Sequence, residues 1–188
     1  TSSTLPIFYS WQSWTPNNVN RNFIFESLEK AVKEIRNDNS LKIDPVIDRD
    51  TLGEAGSVDI ADVIFRKIEN CEIFVCDVTI ITPSEAPNLS PNPNVMLELG
   101  YASAHLGWER IICILNTAYG DVDKLPFDLR GKRMLTYHLP VDAQNKSEVR
   151  RKLTESIKGA ILVILEQISE NSLLVLDETN ADKISEDI

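Results

Sequence analysis

A glutamate embedded in an apolar helical segment is the residue of this sequence best suited to do chemistry. Glu98 lies in the stretch PNVMLELGYA, residues 93–102, with aliphatic neighbours on both sides. Burying a carboxylate among apolar side chains is costly, so its presence needs a reason. Such a group can accept a hydrogen bond from a ribose hydroxyl, or stabilise the positive charge that develops at an anomeric carbon. The alternative is a solvated glutamate, favoured near a helix start by the helix dipole.

The residues before Glu98 predict how it is positioned. The sequence Pro-Asn-Pro-Asn at 91–94 predicts a rigid entry to a helix over residues 94–106, with Asn94 as the N-cap. Glu98 then lies one turn after the helix start, facing the ends of the preceding strands. We expect Gly100 to allow close approach of this helix to a sheet.

Apolar runs and helically spaced apolar residues alternate along the whole chain. The runs predict strands at residues 5–11, 43–47, 72–79, 110–116 and 134–137. The helical spacings predict helices in between, and a final amphipathic helix over residues 147–166. This alternation is typical of an α/β fold in which helices cover both faces of a central five-stranded parallel sheet. Pro45 indicates that the second strand lies at an edge or starts irregularly.

In such sheets ligands bind beyond the carboxyl ends of the strands. That rule selects Ser10, Trp11, Asp48, Arg49, Asp77 and Asn116 as rim residues. Several of them have two open interpretations. Trp11, with Trp14, either stacks on a base or packs as a lid. Arg49 either holds a phosphate or pairs with nearby acids, and Asp77 either binds a ribose or bonds the next loop.

Composition excludes several classes of function. The chain has 188 residues, a net charge of −10 and a pI of about 4.7, which argues against direct binding of nucleic acid. Three cysteines without CxxC spacing predict neither a disulfide framework nor a metal site. No apolar run has the length of a membrane span, and no signal-peptide pattern opens the chain, so we expect a cytoplasmic protein.

The last residues differ in character from the rest. We predict one domain over residues 1–166, followed by an acidic extension or linker over residues 167–188. Within that extension, residues 173–176 are apolar and predict either a further strand or the start of a linker.

Five short segments together resemble bacterial TIR-like domains. They are FYSW at 8–11, DRDT at 48–51 with Gly53 and Gly56, FVCDVT at 74–79, PNPNV at 91–95 and ELGYA at 98–102. The last segment is also similar to nucleoside 2-deoxyribosyltransferases. The resemblance implies a flavodoxin-like three-layer sandwich.

The resemblance also implies an activity. In TIR enzymes a glutamate on the third helix cleaves the nicotinamide–ribose bond of NAD, and Glu98 matches it. Tyr9, Ser10 and Trp11 match the residues that line the nucleotide pocket, and the loop 48–57 matches the BB loop, which borders the site and mediates assembly. Asp48, Arg49, Asp77, Asn94 and Tyr101 complete the predicted substrate-binding set.

The resemblance leaves several functions open. The first is an NAD glycohydrolase or ADP-ribosyl cyclase with NAD as substrate and no resident cofactor, activated by homo-oligomerisation in antiphage defence. The second is a nucleoside or nucleotide N-glycosidase or transferase with Glu98 as nucleophile. The third is a noncatalytic assembly module joined to a separate or fused sensor or effector. Trp14 stands where the family usually has an acid, and the loop over residues 82–92 is longer than usual.

Overall fold

The computed structural model describes residues 3–38, 40–41, 43–48, 60–82 and 89–185, with side chains as far as residue 170. Arg49 and all but the first residue of the loop 48–57 lie outside these ranges. Within them, no helix combines the length and the apolar character that crossing a bilayer requires.

Strands and helices alternate as the sequence predicts. The strands are β1 (Ser3–Ser10), β2 (Ile43–Asp48), β3 (Ile73–Asp77), β4 (Ile111–Asn116) and β5 (Met134–Tyr137). The helices are α1 (Arg21–Arg36), α2 (Ile60–Glu69), α3 (Pro93–His105), the short α4 (Phe127–Arg130) and α5 (Lys146–Ser185). All neighbouring strands pair in parallel in the order β2-β1-β3-β4-β5. This is the flavodoxin-like order, so the predicted fold class is confirmed.

Side chains that alternate along the strands build two apolar layers. Leu5, Ile7 and Tyr9 of β1 pack into the layer beneath α1 and α5, whereas Phe8 packs into the layer beneath α2 and α3. The central strands β3 and β4 are buried along their whole length. Their near-continuous apolar sequence is explained by this cover on both faces.

The edge strand β2 is shaped by a proline, as Pro45 predicts. Pro45 has no amide hydrogen, and its carbonyl oxygen accepts a hydrogen bond from Arg36 Nη2 at 2.5 Å. Arg36 also pairs with Asp44 of the same strand, with Nε 2.7 Å from Oδ1. One helix side chain therefore covers the polar groups of this part of the edge.

Two details of α3 differ from the sequence prediction. The N-cap is Asn92 rather than Asn94: its Oδ1 accepts from the backbone N–H of Asn94 at 2.9 Å and of Val95 at 3.4 Å. The second proline, Pro93, occupies the first helical turn, where it needs no amide donor. The helix therefore starts at residue 93, one residue earlier than predicted. Gly100 faces solvent, and a Cβ there would meet no atom within 4 Å, so it does not serve close helix–sheet packing.

The last helix is longer than predicted. α5 continues through 40 residues to Ser185, so a strand at residues 173–176 is wrong. The apolar run 173–176 is short, and a short apolar run is ambiguous between strand and helix on periodicity alone. The division of the chain at residue 166 stays a prediction.

Replacement of the α3 cap tests this description of the helix start. Asn92→Ala removes the acceptor for two backbone N–H groups of a buried helix end and is expected to cost about 1 kcal/mol of unfolding free energy. Urea denaturation at neutral pH measures the change. The matched control is Asn94→Ala, which keeps its backbone donor and is expected to change stability by less than about 0.5 kcal/mol. Equal losses in both variants would contradict the assignment of Asn92 as the cap.

Candidate functional site

A pocket lies where β1 ends and α3 begins. Its volume is about 220 Å³, and its lining comes from the end of β1, the loop that follows, α2 and the start of α3. The lining residues are Phe8, Tyr9, Ser10, Trp11, Gln12, Ser13, Trp14, Ile64, Asn92, Asn94 and Glu98. Among these described residues Glu98 is the single charged side chain. The pocket occupies the position at which parallel α/β sheets bind ligands.

Strand alternation brings Ser10 and Glu98 together. Phe8 packs beneath α2 and α3, so Ser10, two residues later, points to the same face. There its hydroxyl donates a hydrogen bond to Oε2 of Glu98. No hydrogen bond to Oε1 is present within the described ranges, and Glu98 is part of the pocket lining.

The surroundings of Glu98 change its acidity. Desolvation by burial raises the pKa of its carboxyl group, and the hydrogen bond from Ser10 partly offsets the rise by lowering it. The apolar surroundings that the sequence indicates for Glu98 are therefore present, and its role as a reacting carboxylate stays a prediction. A carboxyl group poised in this way is a frequent component of active sites.

The loop after β1 is fixed by Gln12, which is buried. Gln12 Oε1 accepts from the backbone N–H of Trp14 at 2.6 Å and of Thr15 at 3.1 Å. Its Nε2 donates to Thr15 Oγ1 at 2.7 Å and to Asp77 Oδ2 at 2.9 Å. All four contacts hold the loop that forms one wall of the pocket.

Asp77 lies beneath this wall rather than in it. Its carboxylate, with no exposed surface, accepts from Gln12, from Asn20 Nδ2 at 3.1 Å and from the backbone N–H of Thr79 at 3.0 Å. Burial raises the pKa of Asp77, while the bonds from Thr79, Asn20 and Gln12 lower it. The contact with the Thr79 amide matches the predicted bond to the next loop, and the predicted ribose contact is not supported by this placement.

Asn116, which the sequence places at the rim, caps the chain that follows β4. Its Oδ1 accepts from the backbone N–H of Ala118 at 3.2 Å and of Leu139 at 3.0 Å. Its Nδ2 donates to Asn20 Oδ1 at 3.1 Å and to the Leu139 carbonyl at 2.9 Å. The polar network around Asp77 thereby extends to the end of β4.

The two tryptophans of the loop have different environments. The guanidinium carbon of Arg21 lies 3.4 Å from the centre of the Trp11 ring, and Trp11 also packs against the layer beneath α1. Trp14 is 67% exposed at the pocket. Trp14 therefore offers the more open ring for stacking on a base, and Trp11 forms part of the wall.

Other predicted site residues lie away from Glu98. Asp48 pairs with Lys67, with Nζ 2.8 Å from Oδ1, and lines a different surface depression. Tyr101 lies on the outer side of α3, where its hydroxyl donates to Glu69 and its ring centre is 4.4 Å from that of Phe65. The structure thus groups Tyr9, Ser10, Trp11 and Asn94 with Glu98, and leaves out Asp48, Asp77 and Tyr101. Arg49 lies outside the described residues.

Sequence reasoning missed Gln12 and Asn20. Both are buried polar side chains in a loop that reads as ordinary polar sequence. Their positions in the chain were a usable signal. Gln12 follows the end of β1 and Asn20 precedes α1, and both places lie near Asp77 at the buried end of β3. Within the described ranges no cluster of potential metal ligands occurs.

Comparison with known proteins gives distant structural similarities. No protein-family model and no curated protein matches the chain. The CMP N-glycosidase BcmB of Clostridium botulinum is similar over 79% of this chain and 97% of its own, with 15% identity and a TM-score of 0.43. A flavodoxin-like domain from Synechococcus sp. covers 89% of this chain and 99% of its own, with 13% identity and a TM-score of 0.42.

A third solved structure is more distant. The 2-desoxiribosyltransferase from Leishmania mexicana is similar over 76% of this chain and 70% of its own, with 17% identity and a TM-score of 0.35. None of these three is a TIR domain, so the resemblance to that family stays a prediction. Similarities at this distance do not identify an activity.

The raised pKa of Glu98 has a consequence for stability. A carboxyl group with a raised pKa in the folded state favours folding while it is protonated, and this contribution is lost as pH rises through the raised value. Glu98→Gln removes the charge but keeps an acceptor for Ser10. We expect this variant to melt at a higher temperature than the parent at pH 7, with the difference shrinking as pH falls through the raised pKa toward the ordinary glutamate value of about 4.3. Thermal melts followed by circular dichroism across this pH range measure it, and a lower melting temperature at pH 7 would contradict the assignment.

Proposed function

We propose that the protein is an N-glycosidase that cleaves the bond between ribose and base in a nucleoside or nucleotide, with Glu98 as the reacting carboxylate. The observation that supports it is the half-buried carboxylate of Glu98, oriented by Ser10 and opening into a pocket at the ligand-binding edge of the sheet. An exposed indole, Trp14, lies at the same pocket as a platform for a base.

The chemistry requires Glu98 to be ionised. Oε1 attacks C1′ of the sugar and forms a C–O bond, while the C1′–N bond breaks and its electron pair leaves with the base, which takes a proton from solvent. Water then adds its hydroxyl group to C1′. The bond to Glu98 breaks with its electron pair returning to the carboxylate, and the remaining proton goes to solvent. The hydrogen bond from Ser10 keeps Oε2 occupied and directs the other oxygen toward the sugar.

The size of the pocket favours a compact reacting unit. At about 220 Å³ it is smaller than the ~300–1,000 Å³ usual for ligand pockets. That space suits a ribose with part of its base, and the rest of a larger substrate would extend outward. NAD contains the same kind of N-glycosidic bond and therefore belongs among the substrates to be tested.

Assembly and cellular role remain predictions from the family resemblance. The resemblance implies homo-oligomerisation through the loop 48–57, a sensor or effector partner and a part in antiphage defence. Nearly all of that loop lies outside the described residues, and so does any partner chain. Within the described residues no observation favours a purely noncatalytic module, because the Ser10–Glu98 pair opens into a formed pocket.

Release of free base tests the proposal directly. Concentrated protein is incubated with cytidine, CMP, adenosine, AMP, nicotinamide mononucleotide and NAD, and the released bases are separated by liquid chromatography. We expect release from at least one substrate, and a loss of about 10²–10⁴-fold in kcat/KM in Glu98→Gln, because a neutral amide cannot supply the reacting charge.

Glu109→Gln provides a matched control for this experiment, since Glu109 is an exposed glutamate just before β4. It is expected to retain the parent activity. Full turnover by Glu98→Gln would overturn the assignment of Glu98, and absence of release from every substrate in the parent would overturn the activity.

The pH dependence of turnover tests the partnership of Ser10 and Glu98. Because the hydrogen bond from Ser10 lowers the Glu98 pKa, Ser10→Ala is expected to raise it further. Activity needs the ionised carboxylate, so the acidic limb of the kcat/KM profile should move to higher pH. Ser13→Ala removes a hydroxyl from the same pocket without touching Glu98, and its acidic limb should stay in place. An unmoved limb in Ser10→Ala would contradict the proposed role.

A further inference from the structure

Arg21, the first residue of α1, lies against the wall of the pocket. Its guanidinium group stacks on the indole of Trp11 at 3.4 Å, and Trp11 lines the pocket. A guanidinium stacked on an aromatic ring keeps its edge N–H groups available, because stacking uses the faces of the plane. Arg21 thus places a positive charge next to Trp11, which forms part of the pocket wall.

The polar contacts of Arg21 are incomplete. Its Nε is buried without a hydrogen-bond partner, and no described carboxylate forms an ion pair with it. Arg150 also has a buried Nε without a partner and lies over a ring, that of Phe23, but its Nη2 pairs with Glu26 Oε2 at 2.6 Å. The two arginines therefore differ in the ion pair.

The main chain holds Arg21 in this place. The Tyr9 hydroxyl donates to the Arg21 carbonyl at 3.2 Å, and the preceding residue, Asn20, is tied by its side chain to Asp77. The first turn of α1 contains no acidic residue that would compete for the guanidinium. Arg21 is therefore fixed relative to the end of β1, which also supplies Ser10.

Ser10 and Trp11 are adjacent in the chain, and each of them contacts one charged side chain. Ser10 contacts Glu98, while Trp11 contacts Arg21. An anionic group next to Glu98 would be repelled by its carboxylate, whereas an anionic group that extends out of the pocket past Trp11 would come near Arg21. A 5′-nucleotide has this polarity, because its phosphate is separated from C1′ by the ribose.

We propose, on the basis of the proposed N-glycosidase function, that Arg21 binds the 5′-phosphate of the substrate and makes the enzyme selective for nucleotides over nucleosides. Arginine binds phosphate through paired N–H donors, and such charge-assisted bonds are the stronger class of hydrogen bond. The residue determines specificity and takes no part in bond cleavage.

Paired substrates test the proposal. The parent is expected to have a higher kcat/KM for CMP, AMP or nicotinamide mononucleotide than for the corresponding nucleoside. Arg21→Gln should lower kcat/KM for the monophosphate by about 10- to 100-fold, mainly through KM, and should lower that for the nucleoside far less. Arg21→Lys, which keeps the charge, should recover part of the preference. Arg150→Gln removes an arginine that is also stacked near a ring, and should leave the preference as it is in the parent.

A binding measurement separates this proposal from the proposed function. Ribose 5-phosphate and ribose are titrated against the parent, Arg21→Gln and Glu98→Gln while tryptophan fluorescence is followed. Ribose 5-phosphate should bind the parent and Glu98→Gln more tightly than ribose does, and Arg21→Gln should lose the difference. Arg21-dependent binding without any base release would support the phosphate site and overturn the glycosidase.

Equal losses for nucleotide and nucleoside in Arg21→Gln would show that Arg21 only supports Trp11, and would overturn the inference. Base release with no preference for the monophosphate in the parent would overturn it as well, while leaving the glycosidase standing. Thermal melts show whether each variant is folded. If Arg21→Gln is not folded, the preference for the monophosphate is compared between the parent and Arg21→Lys instead.

Discussion

The architecture of the site depends on one enclosed carboxylate, that of Asp77 at the end of β3. A buried carboxylate without donors is strongly unfavourable, so every segment that supplies a donor is constrained by it. Gln12 brings the loop after β1, Asn20 brings the start of α1, and Thr79 brings the chain that leaves β3. Through Asn116 the same network reaches the end of β4. Asp77 does not touch the pocket, yet the pocket wall takes its shape from the bonds that satisfy this group.

Side chains alternate between the two faces of the sheet along β1, and this alternation decides which residues each layer contributes to the site. Successive side chains at the strand end point to opposite faces of the sheet, so Ser10 reaches α3 and Trp11 reaches α1. Glu98 and Arg21 consequently contact adjacent residues, Ser10 and Trp11, from opposite layers of the fold. Glu98 lies on the layer of α3, among apolar side chains, whereas the loop after β1 exposes Trp14 to solvent. A single strand end thus holds Glu98 on one face of the sheet and Arg21 on the other.

The sequence predicts the fold well because its signals are local and strong. Continuous apolar runs identify β3 and β4, and Pro45 identifies the edge strand. Glu98 stands out because it is a charge in apolar surroundings. Gln12 and Asn20 do not stand out, because their importance comes from Asp77, more than fifty residues away in the chain. Tyr101 lies on the outer side of α3 because this helix packs on the sheet through Val95, Leu99 and Ala102. Its neighbours there, Glu69 and Phe65 of α2, belong to a distant part of the chain, so the sequence does not predict them.

The edge strand β2 also affects how the protein behaves among its own copies. An open strand with free amides and carbonyls is a template on which another chain can add a strand. Here Pro45 lacks the donor, Arg36 occupies its carbonyl oxygen, and the Arg36–Asp44 pair places charges at the same point. The opposite edge, β5, is only 4 residues long. Addition of a further strand is therefore disfavoured at both edges of the sheet, so contacts between copies through these edges are disfavoured as well.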